Sequence, residues 1–574
     1  MSNSFLAMKK SFKKAAVALM MCCIMISSIF ASRSYASGGM DLGGGEGGIK
    51  PLPGWSMLSI LCGLGIMFVV LVWFVGRTRQ TSAEDFLTGG RDIGHGMINA
   101  SVIATWIWAA TLMMSSWTAY SYGFIGPWWY GLGAVLPLPI VGFLGKRLRE
   151  VMPNVRSYPE FLKSRLDTKN HILLTMISIL VSAAVAIMIV TGASVMAVAF
   201  ADVPFWLVAA LFLIIFVSYT SIAGLWASVF ADTLMTLLMY ASMAVIIFGA
   251  IFLVGPGAIY DGLAEVVKTK PMLQPNAGAV MQANQHDPLN WLNIGGIGFL
   301  IVNIIGNLGA VICNQTYWAR TIAAKDAKTV TKSFLSAAFC WAPIPIAVAS
   351  TLGLYGLSKM LVVGQTYDYN GIQMMFAEAE AIAPLSAFLI MGFAGLAFFI
   401  LAVVGASIST GAGEIMSVTT CVVNDLYGAY INKNASEKQV LFQSRLWLSL
   451  TAIITYALVM HLRAIHFPFA GMYQAMGISF SSAVIPLVLA LLWSKTNRNG
   501  VFWAIIGGAF AGLSYWWSVG FDMSWGVVWS NIIVMCVSLV TVTVWSLVKP
   551  ENFDYSSLSG GLDESDIGNE AKII

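Results

Sequence analysis

The chain has 574 residues, of which 58% are apolar and only 10% are charged. Soluble globular proteins carry charge on about a quarter of their residues, so this composition predicts a membrane protein with many spanning segments. The net charge of +4 is small and no nucleic-acid motif accompanies it, which argues against a nucleic-acid partner. The seven cysteines lie in or beside apolar runs without metal-binding spacing, so neither a metal cluster nor a disulfide is expected.

The N-terminus has the features of a secretory signal. Lysines at positions 9–14 precede the short apolar run Ala15–Ala31, and small residues follow at the two positions that a signal peptidase reads. This pattern predicts cleavage after Ala36, which would make residues 1–36 a signal peptide and leave the Gly-rich segment 37–54 outside. The alternative is an uncleaved extra helix, which places the same segment outside.

Thirteen further segments are apolar enough to span a bilayer, which takes about 20 residues. They form a predicted transmembrane domain over residues 55–548 and run over 55–76, 96–122, 127–145, 172–199, 204–222, 226–254, 292–318, 332–359, 386–411, 443–463, 468–493, 500–519 and 524–548. Lys and Arg concentrate in the loops after the odd-numbered spans, so these loops and the polar tail 549–574 are predicted to be cytoplasmic and the mature N-terminus external. This assignment leaves no cation for the middle of any span.

Two spans differ from ordinary lipid-facing helices. The second span, 96–122, contains Thr105 and Thr111, and the seventh, 292–318, contains five glycines and four asparagines that include Asn307. The two lie five helices apart, and interrupted helices at matching positions of two halves indicate a transporter site near mid-bilayer. The alternative is a packing seam between two polar helices.

The ninth span carries a face of small and hydroxylated residues. Ala406, Ser409, Thr410 and Gly413 share one side of a helix, which lets another backbone approach closely. The two hydroxyls are oxygen ligands of the kind that a hard cation such as Na⁺ prefers. The alternative is ordinary packing with each hydroxyl bonded to the carbonyl four residues earlier.

One acid, Asp232, lies within the sixth predicted span, and a second, Glu414, lies near the end of the ninth. An embedded ionisable residue is a candidate functional residue. The alternatives are a carboxylate that caps the cytoplasmic end of the sixth helix and a solvated carboxylate at the membrane interface.

The segment STGAGEIMSVTTCVVNDLY, residues 409–427, resembles the signature of the sodium/solute symporter family, in a form similar to its urea active transporter branch. Five further motifs resemble that family in its order: FLTGGRDIG (86–94), YGFIGPWWY (122–130), RSYPEFLKSRL (156–166), AGLWASVFADTLMTLLM (223–239) and NQTYWARTIAAKDA (314–327). The resemblance implies an all-α membrane protein with a five-plus-five inverted-repeat transporter fold. Its two halves would cover about 96–254 and 292–493.

The resemblance also implies site residues. A Na⁺ ion would lie between an unwound second helix and the ninth helix, and the residues implied as its ligands are Ala104, Ile107, Ala406, Ser409 and Thr410. Asp232 matches an aspartate that the family needs for sodium coupling. Many members carry an aspartate where Ala412 stands here, and Glu414 follows it, so H⁺ coupling stays open. The residues implied for solute binding are Trp106, Thr111 and Asn307.

The predicted function is a secondary active transporter that works by alternating access and imports urea or a similar small neutral solute together with Na⁺. Its expected partners are the solute, Na⁺ and the bilayer of the inner (plasma) membrane, and no cofactor is expected beyond the coupling ion. Alternative cargoes are proline, a carboxylate, a sugar, choline or a polyamine, and a sensor or channel is a different class. The sequence contains no phosphate-binding loop or nucleophile–base pair, so an ion gradient rather than an enzymatic reaction is expected to drive transport.

Overall fold

The computed structural model describes residues 54–76, 82–269, 287–369, 372–376, 379–465, 473, 476–478 and 480–559. The predicted signal peptide, the external segment before Gly54 and the end of the tail after Ser559 lie outside these residues. The signal peptide, its cleavage site and the external position of this segment therefore stay predictions.

The described chain is helical almost throughout. Up to residue 269 the helices are α1 (Gly54–Gly76), α2 (Ala83–Thr88), α3 (His95–Trp106), α4 (Ala109–Tyr122), α5 (Gly126–Val135), α6 (Pro137–Val151), α7 (Tyr158–Arg165), α8 (Thr168–Phe200), α9 (Phe205–Leu253) and α10 (Pro256–Thr269). The later elements are α11 (Ile294–Ile312), α12 (Gln315–Ala323), α13 (Ala327–Trp341), α14 (Pro343–Val348), α15 (Leu354–Ser358), the antiparallel hairpin β1 (Thr366–Tyr369) and β2 (Ile372–Met375), α16 (Ile382–Thr420), α17 (Glu437–Ala464), α18 (Val484–Leu492), α19 (Arg498–Ser518), α20 (Trp525–Val548) and α21 (Ser556–Ser559).

Within the described residues, ten helical stretches are long and apolar enough to cross a membrane. The count of thirteen spans is not confirmed, because some predicted spans are joined and others are broken. The predicted spans 204–222 and 226–254 lie in the single helix α9, which is kinked at Ala223 and Gly224. Gly224 has a φ of +57°, and a Cβ there would lie 2.1 Å from the carbonyl oxygen of Phe86, so the kink requires glycine.

The second predicted span is broken between α3 and α4. Ile107 (φ −97°, ψ 107°) and Trp108 (φ −129°, ψ 176°) are extended, and both are buried. The Thr111 hydroxyl donates to the carbonyl of Trp106 at 3.0 Å and lies 3.4 Å from the backbone nitrogen of Trp108. This side chain therefore compensates polar backbone groups that the break removes from regular helix bonding.

The seventh predicted span is also broken. The sequence suggested a break at its glycines, but the break lies elsewhere. Helix α11 is regular through Ile312, and the chain breaks at Asn314 (φ −109°, ψ 117°), whose Oδ1 accepts from the backbone N–H of Thr316 at 2.9 Å. The glycines instead permit close packing, because a Cβ on Gly309 would lie 2.8 Å from the Oγ of Ser481.

The two broken helices are joined to each other at both ends. Ile93, just before α3, contacts the end of α12. Its N–H donates to Ala323 O at 3.1 Å, and its carbonyl accepts from Lys325 N at 3.0 Å. Phe124, just after α4, contacts the segment before α11, because its N–H donates to Pro288 O at 2.7 Å. The pair therefore runs antiparallel and meets at its middle.

Helix α16 is the central element of the fold. It extends beyond the predicted span 386–411 to Thr420 and continues as a π-helix over Cys421–Ile431, with a break at Gly392 where φ is +62°. It packs against α4, α8, α9 and α17, and from Ala402 to Thr420 every residue is buried. Its small-residue face therefore lies inside the protein and not against lipid.

The first part of the tail folds back on the protein body. The polar composition of residues 549–574 is typical of a disordered segment. However, Phe553 and Tyr555 flank the buried guanidinium of Arg165, with 4.6 Å and 5.7 Å between Arg165 Cζ and the ring centroids. Glu551 completes this contact at 3.6 Å from Arg165 Nη1. A buried cation with aromatic and carboxylate partners overrides the polar composition of the segment.

Candidate cation and solute sites

The hydroxyl of Thr410 joins α16 to the break between α3 and α4. Its Oγ1 lies 3.2 Å from Ala104 O, 3.4 Å from Thr105 O and 3.0 Å from Ala406 O. Three backbone carbonyls and one hydroxyl therefore converge in a fully buried space. Sequence reasoning brought Ala104, Ala406 and Thr410 together, and the structure places them in contact.

The Ser409 hydroxyl faces the other side of this junction. It donates to Asp232 Oδ1 at 2.6 Å, while Ser101 on α3 donates to Asp232 Oδ2 at 2.5 Å. Asp232 thereby connects α3, α9 and α16, and it lies in the interior of α9, so it does not cap the cytoplasmic end of a helix. Ile107 lies in the break itself.

Arg320 corrects the expectation that the interior holds no cation. The sequence assigned it to a cytoplasmic loop, but it lies in α12 with a fully buried side chain. Its Nη2 is 3.1 Å from Asp232 Oδ2, its Nε is 3.2 Å from Ser101 Oγ, and its Nη1 donates to Thr316 O at 3.0 Å. The break at Asn314 turns α12 back into the protein, which carries Arg320 inside. Asp232 is therefore neutralised by a fixed partner.

Glu414 lies one turn after Thr410 on α16 and faces the second break. It is fully buried and not an interfacial, solvated carboxylate. Asn314 Nδ2 donates to its two oxygens at 3.1 and 3.0 Å, and Thr316 Oγ1 donates to Oε2 at 2.8 Å. Ser417 Oγ lies 2.6 Å from Thr316 Oγ1, so hydroxyls and one amide surround the carboxylate.

Asn307 belongs to a buried, uncharged cluster between α11 and residue 473. Its Nδ2 donates to Asn303 Oδ1 at 2.7 Å, and Tyr473 OH lies 2.8 Å from Asn303 Oδ1 and 3.3 Å from Asn307 Oδ1. The Trp108 ring stands beside Tyr473, with 6.4 Å between centroids. Amide and phenol groups next to a flat aromatic wall can orient a small planar polar solute.

The three predicted solute residues do not form one wall. Trp106 donates from its indole nitrogen to Ala134 O at 2.7 Å and packs against Tyr317 and Trp341, at 5.6 and 6.2 Å between centroids. Trp108, not Trp106, lies beside Tyr473 and the asparagines. Thr111 bonds to Trp106 O at the helix break, and it adjoins the cluster only indirectly, because Tyr130 interacts with both Thr111 and Tyr473.

The structure adds four residues to these clusters that the sequence did not mark as candidates: Asn303, Tyr473, Asn314 and Arg320. Asn303 stands one turn before Asn307, and Asn314 follows the apolar run of α11, so both carried a usable signal. The signal for Arg320 was weaker, because a cation shortly after an apolar segment is typical of a loop. No local pattern marks Tyr473.

A charged cluster stands before α3 on the predicted cytoplasmic side. Glu84 pairs with Arg91, and Arg91 Nη2 donates to Asn154 O at 2.7 Å, while Arg156 Nη2 lies 3.6 Å from Glu84 Oε2. Burial acts to raise the pKa of the Glu84 carboxyl, but the hydrogen bond and charge of Arg91 and the charge of Arg156 outweigh it and hold that pKa below its usual value. These contacts fix the segment before α3, which includes Ile93 and its backbone hydrogen bonds to Ala323 and Lys325.

Known proteins share this architecture. The model of the "Sodium:solute symporter family" matches residues 86–508. A urea-proton symporter DUR3 from Oryza sativa subsp. japonica is 28% identical over 87% of this chain and 72% of its own length, and a urea active transporter from Saccharomyces cerevisiae is 27% identical over 88% and 71%. A solved outward-open, substrate-bound Na⁺-coupled sialic acid symporter gives a TM-score of 0.68 at 18% identity, over 87% of this chain and 99% of that chain.

The structural likeness, at that identity, concerns the fold alone, and it confirms the predicted all-α inverted-repeat transporter fold. The family model covers well over half of the chain and spans both helix breaks and the face of α16 that lies between them. The chain belongs to the sodium:solute symporter family.

Proposed function

We propose that this chain is a Na⁺-coupled symporter that imports urea or a similarly small, neutral, polar solute. The observation that carries the proposal is the approach of Thr410 Oγ1 to Ala104 O, at 3.2 Å across the first helix break. The Na⁺ in this proposal is cargo, driven inward by its gradient and released in each cycle.

The proposed Na⁺ ligands are the carbonyls and hydroxyls of Ala104, Ile107, Ala406, Ser409 and Thr410. A small monovalent cation there takes oxygens from α3, the break and α16 in place of its hydration shell. The Ser409 hydroxyl donates its hydrogen to Asp232, which keeps the side chain oriented. A lone pair of the same hydroxyl oxygen remains for Na⁺. Bound Na⁺ would then hold the break against α16.

The proposed solute site is the cluster of Asn303, Asn307 and Tyr473 with Trp108 as its flat wall. Its groups are uncharged donors and acceptors, which suits a neutral amide better than a carboxylate or an ammonium. Urea presents one carbonyl and two amino groups in a plane, and this cluster offers both kinds of partner. Two of the similar proteins are named as urea transporters, which supports the same cargo here.

Coupling follows from the location of both sites at the same break. The solute wall at Trp108 and the ion site at Ala104 lie on the two sides of Ile107, so ordering the break with Na⁺ also orders the wall. Solute binding then strengthens Na⁺ binding by the same factor, as thermodynamic linkage requires. We place the protein in the inner (plasma) membrane with its N-terminus outside and its C-terminus in the cytoplasm, following the Lys and Arg pattern.

The test is uptake of radiolabelled urea into proteoliposomes under an imposed Na⁺ gradient. The double variant Ser409→Ala/Thr410→Ala is expected to need at least tenfold more Na⁺ for half-maximal uptake, since two of the proposed ligands are gone. The matched control is Ser407→Ala/Thr419→Ala, whose hydroxyls bond only to the carbonyls of Val403 and Ile415 among the described contacts. Equal Na⁺ dependence in the two double variants would refute the ion site, and absence of urea uptake in the wild type would refute the cargo.

A further inference from the structure

Glu414 is a buried carboxylate without a charged partner in direct hydrogen-bond contact among the described residues. Its three hydrogen-bond contacts, two from Asn314 Nδ2 and one from Thr316 Oγ1, come from neutral groups. Ser182 Oγ supports the arrangement by donating to Asn314 Oδ1 at 2.8 Å. An ionised carboxylate in such a place is costly unless a cation reaches it.

The surroundings of Glu414 come from three other helices. In the described chain, the titratable or charged groups that face it are Tyr317 and Arg320 from α12, and Asp232 from α9 through Arg320; α8 contributes the hydroxyl of Ser182. The Arg320 guanidinium lies against Gly413, where a Cβ would be 2.7 Å from Nη2, but its ion pair is with Asp232.

Two carboxylates and one guanidinium therefore meet where α3, α9, α12 and α16 pack. With both carboxylates ionised, this interior carries one uncompensated negative charge. One monovalent cation restores neutrality. The same interior offers two places for it, the oxygens around Thr410 and the carboxylate of Glu414, which are one helical turn apart.

We propose that Glu414 is a proton-binding site that competes with Na⁺, so that the interior holds either one Na⁺ beside Thr410 or one H⁺ on Glu414. The inference rests on the proposed function, because it takes Na⁺ to bind beside Thr410. One H⁺ leaves the carboxyl group for solvent when one Na⁺ enters, and the net charge of the interior is unchanged. At a separation of about 6 Å and an effective dielectric constant of about 20, each cation weakens binding of the other on the order of a hundredfold.

The experiment uses the purified full-length protein in detergent and needs no solute. Na⁺ binding is followed by the fluorescence of tryptophans, of which Trp106 and Trp108 flank the break, and proton release is followed with a pH dye in weak buffer, with choline chloride as the salt control. The half-saturating Na⁺ concentration is expected to rise at least tenfold between about pH 8.5 and about pH 5.5, and Na⁺ is expected to release up to one H⁺ per protein at acidic pH.

The variant Glu414→Gln is expected to release no H⁺ and to bind Na⁺ with the same half-saturation at all pH values. Asp425→Asn, which removes a buried acid from the same long helical segment, is expected to keep both effects. A wild type whose half-saturation is independent of pH overturns the inference whether or not the glutamine variant folds, and so does normal proton release from Glu414→Gln. Absence of any Na⁺ response overturns both this inference and the proposed ion site, whereas pH-independent Na⁺ binding overturns this inference alone.

Discussion

The two broken helices differ in how each break is compensated. In the first, between α3 and α4, Thr111 serves backbone groups of the broken segment, and the hydroxyl of Thr410 reaches carbonyls at the end of α3. In the second, between α11 and α12, Asn314 caps the new helix and binds Glu414 at the same time. The first break presents neutral oxygens, and the second presents amide and hydroxyl donors to a carboxylate.

One helix, α16, contacts both breaks through different residues. Thr410 and Glu414 lie four residues apart on α16 and therefore on the same side of it. Arg320, which follows the second break, reaches back to Asp232 beside the first. The two breaks are thus connected by one ion pair and one helix face, and variants of these residues can weaken either break selectively.

The largest effect is expected from Arg320→Ala. Removing one partner of a buried ion pair leaves Asp232 desolvated and unpaired, which costs about 3–5 kcal/mol of the free energy of unfolding. The measurement is thermal or denaturant unfolding of the purified protein in detergent.

The control for this prediction is the double variant Arg320→Met/Asp232→Asn, which removes both charges and is expected to recover much of the loss. If Arg320→Ala were as stable as the wild type, the ion pair could not be what connects the two breaks.

An intermediate effect separates the two breaks directly. Asn314→Ala removes a helix cap and leaves both oxygens of Glu414 without their amide donor, so we expect a loss of about 2–3 kcal/mol. Thr111→Ala removes one hydroxyl, which bonds backbone groups of the first break, and we expect a loss of about 1 kcal/mol. Unfolding of both variants under one set of conditions gives the comparison, and equal losses would show that the two breaks are not compensated differently.

The smallest effect concerns the loop before α3. The pKa of Glu84 is lower in the folded protein than in the unfolded chain, where it is near 4.5. The ionised carboxylate therefore contributes fully to the free energy of unfolding above the unfolded pKa, and this contribution disappears as the pH falls through the lower folded pKa. At neutral pH, Glu84→Gln is expected to speed amide exchange of Ile93 and Lys325 a few-fold relative to the wild type, and this difference should vanish at low pH. The control is Glu150→Gln, whose exposed ion pair with Lys146 stands elsewhere; a pH-independent difference for Glu84→Gln would contradict this account.

The sequence was sufficient for the fold class and for the contact between α3 and α16. Small residues and hydroxyls at helical spacing placed Thr410 on an interior face, and the family motifs supplied its partner Ala104. Both inferences depend on local pattern, which a sequence contains. The side-chain direction at the break was not accessible, because successive extended residues point to opposite sides and regular helix spacing does not apply. Local spacing therefore could not indicate that Trp108, and not Trp106, lies beside Tyr473.

Arg320 and Asn314 show a second limit. A cation after an apolar run normally marks a loop, and the glycines of α11 normally mark a break. Here tertiary contacts decide otherwise, since Arg320 pairs with Asp232 from far along the chain, and Gly306 and Gly309 pack against Gly477 and Ser481. The partners are separated by 88 residues or more, so local patterns could not indicate them.

The most direct test of the central claim is equilibrium binding of radioactive Na⁺ to the purified protein, comparing Thr410→Ala with Thr419→Ala. Both residues lie on α16, are fully buried and bond to the carbonyl four residues earlier, but Thr410 also contacts α3. If Thr410 is a Na⁺ ligand, Na⁺ affinity is expected to fall at least tenfold in Thr410→Ala and to stay at the wild-type value in Thr419→Ala. Unchanged Na⁺ affinity in Thr410→Ala would contradict this role.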